Sequence, residues 1–296
     1  MQTDRLAREI RRYGNPTALG LDTRLEYVPE GFARPLFNAG AQPADVVFAF
    51  NAALLEGLRD VVPCVKIQAA YYELLGPDGM LCLKKTLDEA RRLGYVTITD
   101  AKRGDIGATA SAYASAYVGR SAQFPSDFVT VNPYLGTDGV APFIEECGDT
   151  GRGIFVLVKT SNPSSGEFQD LPTADGRVLY EHVADKVSLW GEGLIGEEGY
   201  SSVGAVVGAT YPVQGAALRR RMPRTFFLLP GYGAQGASAP DLAGCFDGSG
   251  GGAVVNASRS LICAYRKSAP GRDFVEAARE EALRMRDDLR KALGCE

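Results

Sequence analysis

Histidine is almost absent from this chain of 296 residues, which contains a single one, His182. One histidine argues against a Ser-His-Asp triad and against a multi-histidine metal site. The six cysteines are scattered with no Cys-x-x-Cys pair, so the sequence indicates neither a zinc site nor a disulfide framework. We therefore expect chemistry that depends on lysines, carboxylates and backbone groups.

Neither sign of charge is in large excess, because the chain contains 32 Lys and Arg and 36 Asp and Glu. Without a basic stripe, nucleic acid is not an expected partner. No apolar run is long enough to span a membrane, and the amino-terminal MQTDRLAREIRRYG predicts a charged amphipathic helix, not a signal peptide. We expect no membrane association, and a cytoplasmic protein with reduced thiols.

The chain does contain eight apolar runs of β type, which alternate with helical segments. The predicted strands are 16–22, 64–68, 95–102, 128–133, 153–160, 203–209, 225–231 and 253–260. Continuously hydrophobic strands between helices are typical of a covered parallel sheet, and eight βα units are the number in a (β/α)₈ barrel. A doubly wound open sheet is the alternative, but no Gly-x-Gly-x-x-Gly follows the first strand. We predict an α/β fold, a (β/α)₈ TIM barrel with an extra N-terminal helix, as one domain over 1–296.

Two connecting segments carry their own predictions. The residues between the first strand and a helix at 43–61 are rich in Pro and Gly and are predicted to be irregular. The polar stretch 161–176, after the fifth strand, is too long for a simple connector. We therefore predict a lid or binding loop there.

Several charged residues lie close together in the third predicted strand and the residues that follow it, TITDAKRGDIGATA. Asp100 and Lys102 are two residues apart, so a regular strand places them on one face, and Asp105 follows the strand end. Asp22 and Lys66, on other strands, would complete an alternating array. A structural ion-pair network is the alternative interpretation. The position of the polar residues favours chemistry, because barrel active sites lie at the carboxyl ends of strands. These residues are Asp22, Asp100, Lys102, Asn132, Thr160, Ser161 and Arg259.

The ends of the seventh and eighth strands predict an anion site. PGYGAQG, which begins at Pro230, supplies backbone N–H groups and the side-chain amide of Gln235. NASRS contains Ser258 and Arg259, and an arginine can bind phosphate oxygens with two hydrogen bonds. Loops after strands seven and eight are the usual phosphate site of this architecture. The sequence therefore favours a ligand that is a phosphate monoester.

These motifs together resemble a known family. TDAKRGDIGAT matches the Asp-x-Lys-x-x-Asp-Ile-x-x-Thr signature of orotidine 5'-phosphate decarboxylases. The likeness spans the whole chain and continues, in order, through GLD, VKIQ, KTSNPSS, LLPGYGAQG and NASRS. The length and the VNPYLG and KTSNP segments resemble the longer bacterial subgroup of that family, type 2.

The resemblance implies decarboxylation of orotidine 5'-monophosphate to uridine 5'-monophosphate, the last step of UMP biosynthesis, without metal or cofactor. Lys66, Asp100, Lys102 and Asp105 resemble the family's charged tetrad. Lys102, flanked by aspartates, is expected to stay protonated because carboxylates favour its charged form. It would attract the carbanion that forms at C6 and then protonate it.

The resemblance also implies how substrate binds. Asp22 and Lys66 would contact the ribose, Ser161 beside Thr160 would contact the pyrimidine, and the phosphate would be held by Gln235 and Arg259, with Pro230 and Ser258 in the same two segments. In that family the last aspartate of the tetrad, with the Ile and Thr after it, reaches into the partner's active site. Asp105, Ile106 and Thr109 would therefore imply a homodimer. No role transfers to Asn132, for which a structural amide at a strand end is an equal alternative.

Two other functions stay open. Sugar-phosphate decarboxylases and aldolases of the same superfamily share the Asp-x-Lys-x-x-Asp pattern but hold magnesium partly through a glutamate on the second strand. Here that strand carries Lys66, whose ammonium would repel a divalent cation. The other alternative is a non-catalytic nucleotide-binding barrel, which loss of a tetrad residue would indicate. All four are present.

Overall fold

Eight parallel strands close into a barrel in which every strand pairs with its neighbours in chain order and β1 pairs with β8. The structure is a computed structural model, which describes residues 1–233, 236–269 and 271–295. The strands are β1 Thr17–Leu21, β2 Cys64–Gln68, β3 Val96–Arg103, β4 Phe128–Val131, β5 Gly153–Lys159, β6 Ser201–Val207, β7 Thr225–Pro230 and β8 Ala253–Ala257. All eight predicted strands and the predicted TIM barrel are confirmed.

Helices lie between the strands and cover the outer face of the barrel. Those described are α1 Gln2–Tyr13, α2 Glu30–Asn38, α3 Pro43–Leu58, α4 Ala69–Glu73, α5 Gly76–Arg92, α6 Gly107–Val118, α7 Thr137–Thr150, α8 Gly166–Gln169, α9 Leu179–Gly191, α10 Pro212–Arg221, α11 Ala239–Leu242, α12 Arg259–Ile262 and α13 Phe274–Leu293. In the part of the chain that the structure describes, no helix combines the length and the apolar character needed to cross a membrane.

The segment predicted to be irregular contains α2, so that prediction is wrong. Its internal Pro35 lacks the N–H that a helix interior uses, which is why the local sequence does not indicate a helix. Tertiary packing stabilises it instead. The ring of Phe32 lies 6.3 Å from that of Phe50 and 5.1 Å from that of Phe274, so α2 is anchored through aromatic contacts to α3 and α13.

The N-terminal helix α1 closes the amino-terminal end of the barrel. Leu6, Ala7 and Ile10 are buried, and they belong to the same apolar cluster as Ile98 and Phe155, which project inward from the strands. A second, larger apolar cluster fills the layer between the strands and the outer helices. Because α1 closes one end of the barrel with apolar side chains, polar groups inside the barrel are accessible to a ligand from the other end.

Candidate active site

A cavity of about 670 Å³ opens at the carboxyl ends of the strands. Most of its lining residues are polar or charged, but Leu157, Val206 and Leu228 provide an apolar surface inside it. The last two also belong to the apolar cluster within the barrel, and Leu157 packs against that cluster. The size is in the range that takes a small-molecule ligand.

One wall carries four charges in a row, which we call the charged row: Asp22, Lys66, Asp100 and Lys102. The Lys66 Nζ atom lies 3.0 Å from Asp22 Oδ1 and 3.1 Å from Asp100 Oδ2. The Lys102 Nζ atom lies 2.6 Å from Asp100 Oδ1. The predicted alternation of charge is thus confirmed for these four residues, and all four line the cavity.

The electrostatics of the charged row keep its buried members ionised. Burial alone would raise the pKa of Asp100, but the positive charges of Lys66 and Lys102 outweigh burial and hold that pKa well below its usual range. Burial alone would lower the pKa of Lys66, but Asp22 and Asp100 outweigh it and raise that pKa above its usual range. The attraction between paired charges offsets part of the cost of removing them from water.

Lys102 reaches the cavity from an irregular part of β3. Its φ of 46° lies in the left-handed region, and it is the one non-glycine residue with positive φ in the described chain. The register between β3 and β4 shifts here, from Thr99 opposite Val129 to Arg103 opposite Val131. The predicted contact between Asp100 and Lys102 is present, but a bulge produces it, not regular alternation.

Asp105, Ile106 and Thr109 do not line the cavity. Asp105 Oδ1 accepts a hydrogen bond of 2.8 Å from the backbone N–H of Ile106. Ile106 is 53% exposed and Thr109 is exposed as well. Within one chain, therefore, only one carboxylate of the tetrad, that of Asp100, contacts Lys102.

The opposite wall follows β5. Thr160 and Ser161 line the cavity together with Asn162 and Gln169, from the segment predicted to be a lid. That segment is not simply extended, because α8 lies within it. Gln169, the last residue of α8, connects this helix to the residue that follows β5. Its Oε1 accepts a hydrogen bond of 2.9 Å from the backbone N–H of Thr160, and its Nε2 donates one of 2.8 Å to Thr160 Oγ1. Gly208 permits the close approach of β6, because a Cβ there would lie 2.8 Å from Ser161 N.

The third wall lies beyond β7 and β8. Pro230, Ser258 and Arg259 line the cavity as predicted, with the guanidinium of Arg259 on an exposed side chain. Gln235, the predicted phosphate ligand from the glycine-rich loop, lies outside the described residues. An arginine at this place is suited to an anionic end of a ligand.

Comparison with known proteins identifies the family. The sequence profile of the Orotidine 5'-phosphate decarboxylase / HUMPS family matches residues 49–274. A Clostridium tetani protein named orotidine 5'-phosphate decarboxylase is 40% identical over 293 residues, which cover 99% of each chain. The chain belongs to this family. A Rhodopirellula baltica protein of the same name is 42% identical over 291 residues, covering 95% of this chain and 96% of that one.

Solved structures of this family share the fold. A crystal structure from Streptomyces avermitilis matches with a TM-score of 0.82 and 34% identity, covering 99% of this chain and 95% of that one. The structure of Leishmania donovani OMP decarboxylase matches with a TM-score of 0.73 and 30% identity, covering 96% and 98%. The resemblance inferred from the motifs is thereby confirmed.

Several cavity residues escaped the sequence interpretation, among them three polar side chains: Gln68, Thr130 and Asn256. Gln68 Nε2 donates to Asp100 Oδ2 at 3.0 Å, and its position two residues after Lys66 on one strand could have indicated it. Thr130 Oγ1 donates to Asp100 Oδ1 at 2.9 Å, and no spacing indicated that. Asn256 is buried, and its Oδ1 has no partner among the described residues.

Asn132, whose role was left open, does not line the cavity. Its Oδ1 accepts a hydrogen bond of 3.0 Å from the backbone N–H of Tyr134. This bond stabilises the turn that follows β4. The structural alternative is the one that the described contacts support.

Proposed function

We propose that this chain decarboxylates orotidine 5'-monophosphate to uridine 5'-monophosphate, the last step of UMP biosynthesis, without a metal or cofactor. The observation that carries the proposal is the charged row, with the ammonium of Lys102 at the cavity end of it. The family membership and the names of the relatives at about 40% identity support the same reaction.

The reaction needs a positively charged group close to C6 of the pyrimidine. When the bond between C6 and the carboxylate breaks, CO₂ leaves and the electron pair stays on C6, where the ring offers no electron sink. The Lys102 ammonium is the group suited to attract that charge and to give C6 a proton. Lys102 then regains a proton from water, and the products are CO₂ and the nucleotide.

The neighbours of Lys102 prepare it for this task. Asp100 holds the ammonium at 2.6 Å and would face the substrate carboxylate. Lys66 neutralises the other oxygen of Asp100 and lies beside Asp22, so these two are placed for the ribose hydroxyls. Because the charges are fixed before substrate arrives, little reorganisation is needed during the reaction.

The rest of the cavity fits the remainder of the nucleotide. We assign the pyrimidine to the wall of Thr160 and Ser161, whose hydroxyl and backbone groups can pair with ring oxygens and nitrogens. We assign the phosphate to the side of Pro230, Ser258 and Arg259, with Gln235 as a further donor. Binding energy at the phosphate would orient the ring above Lys102.

A magnesium-dependent reaction on a sugar phosphate is the second candidate, because the matching family profile covers both branches. A divalent cation between Asp22 and Asp100 would have to displace the ammonium of Lys66, which lies about 3 Å from both. This geometry disfavours the second candidate.

The test is the loss of orotidine monophosphate absorbance, measured with and without EDTA. We expect turnover that survives chelation and disappears in Lys102→Ala. Turnover of a keto-sugar phosphate that requires magnesium, with no reaction of orotidine monophosphate, would overturn the proposal. Binding of UMP without turnover of either substrate would instead support the non-catalytic nucleotide-binding barrel.

We further propose a homodimer in which Asp105, Ile106 and Thr109 of each subunit complete the partner's active site. Support comes from the rim beside the cavity, where Ile106, Tyr134 and Leu135 are 53%, 80% and 48% exposed. A Cβ on Gly139 would lie 3.1 Å from the Asp105 carbonyl oxygen and 3.2 Å from Leu135 Cβ, so these residues form one continuous edge. Exposed apolar edges of this kind are typical of interfaces.

Subunit mixing tests the shared site. Asp105→Ala and Lys102→Ala should each be inactive, whereas a re-associated 1:1 mixture should recover about a quarter of wild-type activity, because half the dimers contain one intact site. Sedimentation of each variant as a dimer is the control for assembly. A mixture that sediments as dimers and stays inactive would contradict the shared site.

A cytoplasmic location is also a proposal. Its support is that the cysteines of the described chain are free thiols, five of them buried. Unpaired cysteines are typical of a reducing compartment.

A further inference from the structure

The bulge in β3 leaves Asp100, Ala101 and Lys102 facing a single residue of β4. Between Thr99 and Arg103 the third strand advances by four residues, while the fourth advances by two, from Val129 to Val131. The residue between them is Thr130, which is 1% exposed. A bulge interrupts the regular backbone ladder, so the N–H groups within it need other partners.

The hydroxyl of Thr130 supplies one of those partners. It accepts a hydrogen bond of 2.8 Å from the backbone N–H of Lys102 and donates one of 2.9 Å to Asp100 Oδ1. The same carboxylate oxygen receives the Lys102 ammonium at 2.6 Å. One hydroxyl therefore contacts both the backbone and the charge partner of the proposed proton donor.

The hydrogen bond from Thr130 completes the contacts of the Asp100 carboxylate. Its Oδ2 accepts from Lys66 and Gln68, and its Oδ1 accepts from Lys102 and Thr130. An ionised carboxylate offers about four acceptor positions. Because every position is occupied, the carboxylate is fixed in one orientation, and the Lys102 side chain is directed from a fixed point.

We propose that Thr130 is a positioning residue, which holds Lys102 in its left-handed backbone conformation and orients Asp100 toward the Lys102 ammonium. A non-glycine residue with positive φ persists only where its surroundings hold it. Thr130 contacts no reacting atom in this scheme, and its effect passes through Lys102 and Asp100. The expected effect on kcat rests on the proposed function, whereas the structural role of Thr130 does not.

The kinetic test compares isosteric substitutions. Thr130→Val keeps the branched shape and removes both hydrogen bonds, and we expect kcat for orotidine monophosphate to fall about 10- to 100-fold with KM changed less than about threefold. Thr130→Ser restores the hydroxyl and should recover most of kcat. Thr99→Val is the matched control, because Thr99 Oγ1 is equally buried and bonds to Ser126 at 2.6 Å, away from the charged row.

A second readout does not depend on activity. The Lys102 amide should exchange its hydrogen at least about tenfold faster in Thr130→Val than in the wild type or Thr99→Val, because its acceptor is gone. Unchanged exchange and unchanged kcat in Thr130→Val would overturn the proposal. If the wild type fails to turn over orotidine monophosphate but exchange responds as expected, the proposed function fails and the positioning role stands.

Discussion

Two buried lysines on opposite walls of the barrel have different surroundings. Lys66, within the charged row, lies between two carboxylates and lines the cavity. Lys159, at the end of β5, is fully buried and does not line it. Its Nζ atom is 2.7 Å from Asp170 Oδ1, 3.2 Å from Ser165 Oγ and 4.6 Å from the centre of the Tyr211 ring.

The comparison teaches that a buried lysine is not by itself a sign of catalysis. The ammonium of Lys159 contacts Ser165 and Asp170 of the segment after β5 and the Tyr211 ring of the segment after β6, so its effect is to hold these two segments against the strand. The charged row continues from Lys66 through Asp100 to Lys102, whose side chain is 45% exposed at the cavity. Access of the last charge to the cavity distinguishes the two clusters.

The largest expected effect comes from removing that accessible charge. Lys102→Ala should lower kcat/KM for orotidine monophosphate by more than about 10³-fold, because electrostatic stabilisation and proton donation are lost together. Its melting temperature should change little, since the side chain is partly exposed. Lys84→Ala is the control, because Lys84 is an exposed lysine paired with Asp88 at 3.0 Å on α5. Equal activity of Lys102→Ala and Lys84→Ala would show that the charge of Lys102 at the cavity is not needed for the reaction.

Asp100→Asn should affect both activity and stability. It leaves the buried Lys66 with one carboxylate instead of two, and we expect the free energy of unfolding to fall by about 3 kcal/mol, measured by urea denaturation at neutral pH. We also expect kcat to fall by more than about 100-fold, because the Lys102 ammonium loses its charge partner. A variant as stable as the wild type would show that the charged row contributes nothing to folding.

The Lys159 cluster should show the opposite balance, with a modest loss of stability and little loss of chemistry. Asp170→Ala leaves a buried ammonium without its carboxylate, and we expect unfolding to be easier by about 2 kcal/mol. KM should rise less than about tenfold and kcat should stay within about threefold, because only the wall around Gln169 loosens.

Two variants refine that result. Lys159→Met replaces the buried charge with an apolar chain, and should destabilise less than Asp170→Ala does. Asp88→Ala, which breaks an exposed pair, should change the free energy of unfolding by less than about 0.5 kcal/mol. A loss of kcat in Lys159→Met as large as in Lys102→Ala would place both lysines in the chemistry.

The last prediction concerns the dependence of stability on pH. Because the folded pKa of Asp100 is depressed, its contribution to stability is present above its unfolded-state pKa of about 3.9 and is lost as pH falls toward the folded value. The difference in unfolding free energy between the wild type and Asp100→Asn should therefore be constant near neutral pH and shrink below about pH 4. Urea titrations at several pH values measure it, and a difference that grows on acidification would contradict the sign.

The fold was largely predictable because its signals are local. Eight apolar runs between helical segments indicate a covered parallel sheet, and each run carries that signal in its own residues. The helix α2 was not predictable in the same way, because Pro35 opposes it locally and the aromatic contacts of Phe32 with distant residues stabilise it.

The candidate site was predictable to the extent that its residues stand at strand ends. Asp22, Lys66, Asp100 and Lys102 could be identified because carboxyl ends of parallel strands meet at one edge. The contacts of Thr130 and Lys159 could not, since they depend on how far one strand is shifted against the next and on where a long segment returns.

The sequence by itself therefore determined the number and order of the strands and the identity of the charged residues, because patterning and composition act along the chain. Only the tertiary structure decided how these charges pair. The bulge between Thr99 and Arg103 appears only in the pairing of β3 with β4, and Lys102, with its positive φ, lies within it and lines the cavity. Contacts of that kind arise from register between strands, which neither strand specifies alone.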